Sequence, residues 1–184
     1  MYDIKRIESD LKDILSDYRY QHSIMVANEA KKLAIHYNLD NNKAFVAGLL
    51  HDIAKEFSDE EIDYYIKKYN IDSNYTSLDL RPAIHSYIGA YYAKEKYNID
   101  SEIMYAIMYH TLGSPNMSDF DKIILIADKL GRNNKDNILE KIAYESIDKA
   151  IIYIFEYQKN KLRNKGKKLH MDSLMLLNTL NKEV

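Results

Sequence analysis

Six residues of this chain share one chemistry. His22, the adjacent pair His51 and Asp52, His85, His110 and Asp128 each stand beside a strongly apolar stretch, and they offer imidazole nitrogen or carboxylate oxygen. Buried without partners, such groups cost about 1–3 kcal/mol each. They are therefore satisfied inside the fold, or they hold something. Four imidazoles and two carboxylates contain no soft donor, and they suit a dinuclear site for hard to borderline cations with one carboxylate bridging. His51 and Asp52 follow Leu49 and Leu50 directly. Neighbouring helical positions diverge by about 100°, so the pair cannot face one partner side by side, but it can reach an ion and its neighbour from a helix end. Asp128 closes the apolar run "IILIA". His36, in "LAIHYN", and His170, in "KKLHMD", read as core or exposed histidines with no part in this set.

Composition narrows the chemistry further. The absence of cysteine excludes disulfides, thiolate zinc sites and a cysteine nucleophile together. A net charge of −2 gives no basic field for nucleic acid. The one basic cluster, "KNKLRNKGKK" at 159–168, reads as a solvated helix end and loop. Charged residues interrupt the first 20 positions, so no signal peptide is expected, and "AIIYIF" at 150–155 is too short to span a bilayer. The expected location is the cytoplasm, with neither membrane nor nucleic acid as partner.

The elements that must position these residues are helices. Ile4, Ile7, Leu11 and Ile14 make one amphipathic stripe, and Met25, Leu33 and Tyr37 lie on a second helix from about 20 to 37. A third is expected over about 41–54. Ser58 and Glu61 form a capping box ahead of Ile62, Tyr65, Ile66 and Tyr69. Pro82 suits the first turn of a helix reaching about Tyr97, and another covers about 101–110 before Gly113 and Pro115 stop it. Ser118 and Asp121 open the next, a long helix follows over about 136–160, and a short one lies near 172–181. Period-two alternation is missing. The expected fold is a single all-α domain over 1–184, a bundle of about eight or nine helices.

The order His22, His51-Asp52, Asp128 resembles the signature of the HD-domain metal-dependent phosphohydrolases. The segments "RYQHS", "AGLLHDIAKE", "HSYIGA", "IMYHTLGSPNMS" and "DKIILIADKL" resemble, in order and spacing, the YqeK family of bacterial symmetrical diadenosine tetraphosphatases. The likeness runs through nearly the whole chain and implies an HD-domain helical bundle. It implies that His22, His51, Asp52 and Asp128 hold a first divalent metal. Asp52 would bridge to a second, completed by His85 and His110. Iron is the metal associated with the family; manganese, cobalt or nickel serve related enzymes. Lys55 matches the lysine of "HDxAK" and would face phosphates, acting with Asp52 in catalysis. Thr111 and Gly113 match the "HT-x-G" turn beside the nucleotide.

The chain also departs from that pattern. Where the family commonly has Glu-Pro-Asn-Arg, this chain has Gly131, Arg132, Asn133 and Asn134. Only Asn133 is kept, so a guanidinium contact to phosphate must come from Arg132 or be lost. "KLHMD" likewise replaces Lys-Leu-Ile-His-Pro near the C-terminus. The expected reaction is symmetrical hydrolysis of diadenosine tetraphosphate and related dinucleoside polyphosphates to two nucleoside diphosphates, by attack of a metal-bridging hydroxide on phosphorus. The alternatives are another HD phosphohydrolase, such as a nucleotide phosphatase or phosphodiesterase, or a nucleotide-binding protein without catalysis. The nucleotide substrate and nucleoside diphosphate product are the expected partners, and a homodimer is allowed.

Overall fold

The computed structural model describes residues 2–77, 80–132 and 136–183. Ten α-helices appear among them: α1 (Ile4–Ile14), α2 (Asp17–His36), α3 (Asn41–Leu50), α4 (Asp59–Lys68), α5 (His85–Tyr97), α6 (Ser101–Tyr109), α7 (Asp119–Leu130), α8 (Asn137–Glu145), α9 (Ile147–Arg163) and α10 (Met171–Glu183). No strand occurs among the described residues. None of their helices is long and apolar enough to cross a membrane.

Local chemistry accounts for most boundaries. The Ser58 hydroxyl accepts from the Glu61 amide while the Glu61 carboxylate accepts from the Ser58 amide, and Ser118 with Asp121 repeats the arrangement at α7. Asn38, Asn70 and Asn98, with φ of 56°, 48° and 50°, follow α2, α4 and α5 in the left-handed region that terminates helices. Three expectations shift. The long helix of 136–160 is two helices, because Ser146 turns extended at φ −161° and its hydroxyl caps α9 through the Lys149 amide. The third helix stops at Leu50; tight turns follow, with Ile53 N–H donating to Leu50 C=O and Lys55 N–H to Asp52 C=O. Pro82 lies in the turns before α5, which begins at His85. The break at Ser146 raises the count to ten.

α7 runs through the middle, with every residue from Phe120 to Asp128 buried. α2 packs along both α3 and α7, α6 packs against α3, α5 and α7, and α8, α9 and α10 continue the bundle from α7. Two glycines let backbones approach where side chains would not. A Cβ on Gly48 of α3 would stand 2.6 Å from Ala27 Cα of α2, and one on Gly131 would stand 2.6 Å from Val26 Cγ2. These contacts bring the ends of α3 and α7 onto the middle of α2. All six polar residues singled out above lie at or beside those ends.

Candidate metal centre and cleft

His51 and His110 are the C-caps of α3 and α6, His85 is the first residue of α5, and His22 and Asp128 lie inside α2 and α7. All four imidazoles, and both carboxylates, are buried. Each histidine is fixed the same way. Nδ1 of His22 lies 3.1 Å from the Gly131 carbonyl, that of His51 2.7 Å from Gly48, that of His85 3.0 Å from Pro82, and that of His110 2.7 Å from Ile107. A carbonyl only accepts, so each Nδ1 carries a proton, and in a neutral ring Nε2 then presents a lone pair.

The four Nε2 atoms converge on the two carboxylates. His22 Nε2 is 3.2 Å and His51 Nε2 3.8 Å from Asp128 Oδ1. Asp52 faces two ways: Oδ2 lies 3.6 Å from His51 Nε2, while Oδ1 lies 2.9 Å from His85 Nε2 and 3.6 Å from His110 Nε2. Two groups follow, one of His22, His51 and Asp52 and one of Asp52, His85 and His110, each with its ligand atoms within 4.8 Å of one another. Asp52 belongs to both.

The donor set asks for cations. Burial pulls His51 and His85 down to about 4 against the opposing pull of Asp52, so both stay neutral near pH 7 and keep their lone pairs. His51 Nε2 is buried without a hydrogen-bond partner and looks at two carboxylate oxygens. His85 and His110 Nε2 stand 3.3 Å apart, lone pair to lone pair. Asp52 and Asp128 both stay ionised against their burial, Asp128 first through the Lys129 ammonium beside it. Acceptors facing acceptors in a dry interior are unfavourable until a positive ion sits between them. The residues fit divalent cations with N/O ligands.

Above this cluster opens a cleft of about 1300 Å³. Cationic side chains rim it. Arg19 Nη1 is 3.2 Å from Asp52 Oδ2, Lys129 pairs with Asp128, and Arg132 Nη2 lies 3.7 Å from Asp128 Oδ2 with its side chain largely exposed. Lys55 Nζ lies 3.2 Å from His85 Nε2, and burial lowers its pKa. Thr111 lines the cleft, its hydroxyl 3.0 Å from that of Ser86. Gly113 is not among the lining residues. It takes φ +70°, and a Cβ there would come 3.0 Å from Phe155 Cζ and 3.1 Å from Leu176 Cδ2, so its place is a turn packed under α9 and α10. Asn133 lies outside the described residues.

The HD domain family matches residues 19–133, a span that holds all six clustered side chains. The chain belongs to the HD-domain family. A curated relative from Halalkalibacterium halodurans, a symmetrical bis(5'-nucleosyl)-tetraphosphatase, is 33% identical over 92% of this chain and 92% of its own length. A probable nicotinate-nucleotide adenylyltransferase/Ap4A hydrolase from Mycoplasma genitalium is 34% identical over 84% of this chain, which spans only 46% of that longer relative. A Clostridium acetobutylicum crystal structure, titled a predicted HD superfamily hydrolase involved in NAD metabolism, superposes with a TM-score of 0.91, covering both chains fully at 32% identity.

Within this HD-domain protein, several cleft residues have no place in the set that the sequence suggests. Arg19, Lys129, Lys167, Lys168 and His170 all line the cleft. For Lys129 the signal is adjacency to Asp128. For the other two lysines it is the basic cluster at 159–168, whose end lines the cleft while staying exposed to solvent.

Proposed function

We propose that this chain, acting as one domain over 1–184, hydrolyses diadenosine tetraphosphate symmetrically to two ADP. The observation that carries the reading is Asp52, whose two oxygens serve two adjoining histidine groups under a cation-rimmed cleft. The full-length likeness to a symmetrical bis(5'-nucleosyl)-tetraphosphatase supports the substrate. His22, His51, Asp52 and Asp128 would hold one divalent cation, and Asp52, His85 and His110 a second; iron is the first candidate, with manganese, cobalt or nickel as substitutes. When bound, two such ions neutralise phosphate oxygens and lower the pKa of a water between them.

The protein's own residues do the rest. Four imidazoles, fixed through Nδ1, keep Nε2 turned inward without reorganisation. Lys55, Lys129 and Arg19 supply positive charge where a tetraphosphate chain enters. Symmetrical cleavage adds one water across the central P–O–P bridge: oxygen joins one inner phosphorus, and the bridging oxygen leaves with the other. Lys55 Nζ offsets charge on the phosphoryl group as that bridge breaks. Arg132 and Thr111 line the same cleft and would contact the nucleotide. A reaction on free nucleotides fits a protein of the cytoplasm.

Turnover of diadenosine tetraphosphate, ATP, ADP, AMP and cyclic AMP by metal-loaded protein tests this reading. The dinucleotide should be hydrolysed at least tenfold faster than any mononucleotide. Faster hydrolysis of a mononucleotide or of cyclic AMP would make it a phosphatase or a phosphodiesterase.

A further inference from the structure

We propose that the segment from α9 to α10 forms the base-binding end of the cleft, with His170 as the ring on which a purine stacks. This deepens the nucleotide reading above and rests on it. The segment lies beyond the 19–133 span of the HD family match, yet Leu162, Leu169 and His170 all line the cleft. With Leu112 they make an apolar stretch in a cavity whose rim also carries cations. Leu112 is two residues past His110, so this wall begins about 7 Å of chain from the metal cluster, a separation that a ribose with its phosphates can bridge.

His170 is built to present a ring. Its Nδ1 accepts the Asp172 backbone N–H at 3.2 Å, which leaves the proton of the neutral form on Nε2. One side rests near Tyr75, with ring centroids 5.4 Å apart, and Tyr75 in turn stacks on Tyr87 at 4.3 Å. The Tyr75 hydroxyl donates to Asp172 at 2.8 Å, and the Ser173 hydroxyl donates to the Leu112 carbonyl, tying the start of α10 to the turn that carries Thr111. Three aromatic rings in series, with His170 and Tyr75 both tied to Asp172, make a platform rather than a loose side chain. A purine offers a π-face for stacking; a bare polyphosphate offers none.

Binding of ADP and of inorganic tripolyphosphate to metal-loaded protein, measured by calorimetry alongside metal content, separates base from phosphate recognition. In His170→Ala, ADP affinity should fall roughly tenfold or more, while tripolyphosphate affinity stays within twofold and metal content is unchanged. His170→Phe keeps a ring and should retain ADP affinity within about threefold, which guards against a folding defect in the alanine variant. Unchanged ADP affinity in His170→Ala, an equal loss for both ligands, or loss of ADP alone in His170→Phe overturns the stacking assignment. Wild-type protein that binds tripolyphosphate but not ADP also overturns it. Wild-type protein that binds neither overturns the nucleotide reading itself.

Discussion

His51 Nδ1 lies 2.7 Å from the carbonyl oxygen of Gly48, three residues earlier on the same helix. That bond fixes the imidazole proton away from the carboxylates and turns Nε2 towards them. It also couples the metal site to a close crossing of α2 and α3, because Gly48 sits against Ala27 with no room for a Cβ. In Gly48→Ala the added carbon would meet Ala27 Cα at 2.6 Å, so α3 must move off α2. We expect a loss of about 1–3 kcal/mol in a denaturant titration, together with weaker metal retention through the displaced His51. A variant as stable as the wild type would show that the crossing is looser than described.

Asp52 is shared by both ligand groups, so its loss should be felt by both. Asp52→Ala should lose both metals and essentially all turnover while its far-ultraviolet circular dichroism stays helical. His36→Ala is the control. His36 is exposed and its Nε2 bonds the Tyr144 carbonyl at 3.0 Å, so metal content should not change. Two metals per chain in Asp52→Ala would show that the carboxylate does not bridge.

His85 and His110 belong only to the second group. His110→Ala should therefore lower metal stoichiometry towards one ion per chain and cut the rate steeply, with His22, His51, Asp52 and Asp128 keeping the first. Stoichiometry unchanged in both His85→Ala and His110→Ala would reduce the centre to a single-metal site.

Lys55 reaches the cleft beside His85 but is not one of the clustered acceptors. Lys55→Ala should slow hydrolysis by about 10²–10³-fold, the scale of a single electrostatic donor, with metal content intact. Arg132 is 59% exposed and holds Asp128 at only 3.7 Å. Its replacement by alanine should weaken nucleotide affinity and reduce its salt dependence, and kinetics within about twofold of the wild type would make it a solvated surface charge.

Much of the centre is legible in the amino-acid sequence, and the reason is chemical. Six hard donors beside apolar runs are hard to satisfy otherwise, and the His51-Asp52 doublet marks a helix end by placing two polar groups after Leu49 and Leu50. Periodicity cannot join His22 to Asp128, 106 residues apart, and the family resemblance supplies that link. Helix ends set by single side chains are harder to read. Ser146 breaks a continuous apolar stripe because its hydroxyl caps the next helix, and a propensity sum over the window does not register one serine. Gly113 is assigned to the cleft by its motif because Thr111 is so near in sequence, whereas its left-handed φ and the side chains around it turn it into the core. His170 reads as a core or exposed histidine with no part in the site, because nothing local shows that the start of α10 packs against the turn after α6; the bonds of Asp172 and Ser173 reveal it.

Product identity is the most direct measure of the central claim. Metal-loaded protein given diadenosine tetraphosphate, with nucleotides resolved by chromatography from the first few per cent of conversion, should release ADP alone, two per dinucleotide consumed. ATP and AMP in equal amounts would place the cut at an outer phosphorus, and no turnover with both metals bound would leave a binding protein; either result would contradict the account.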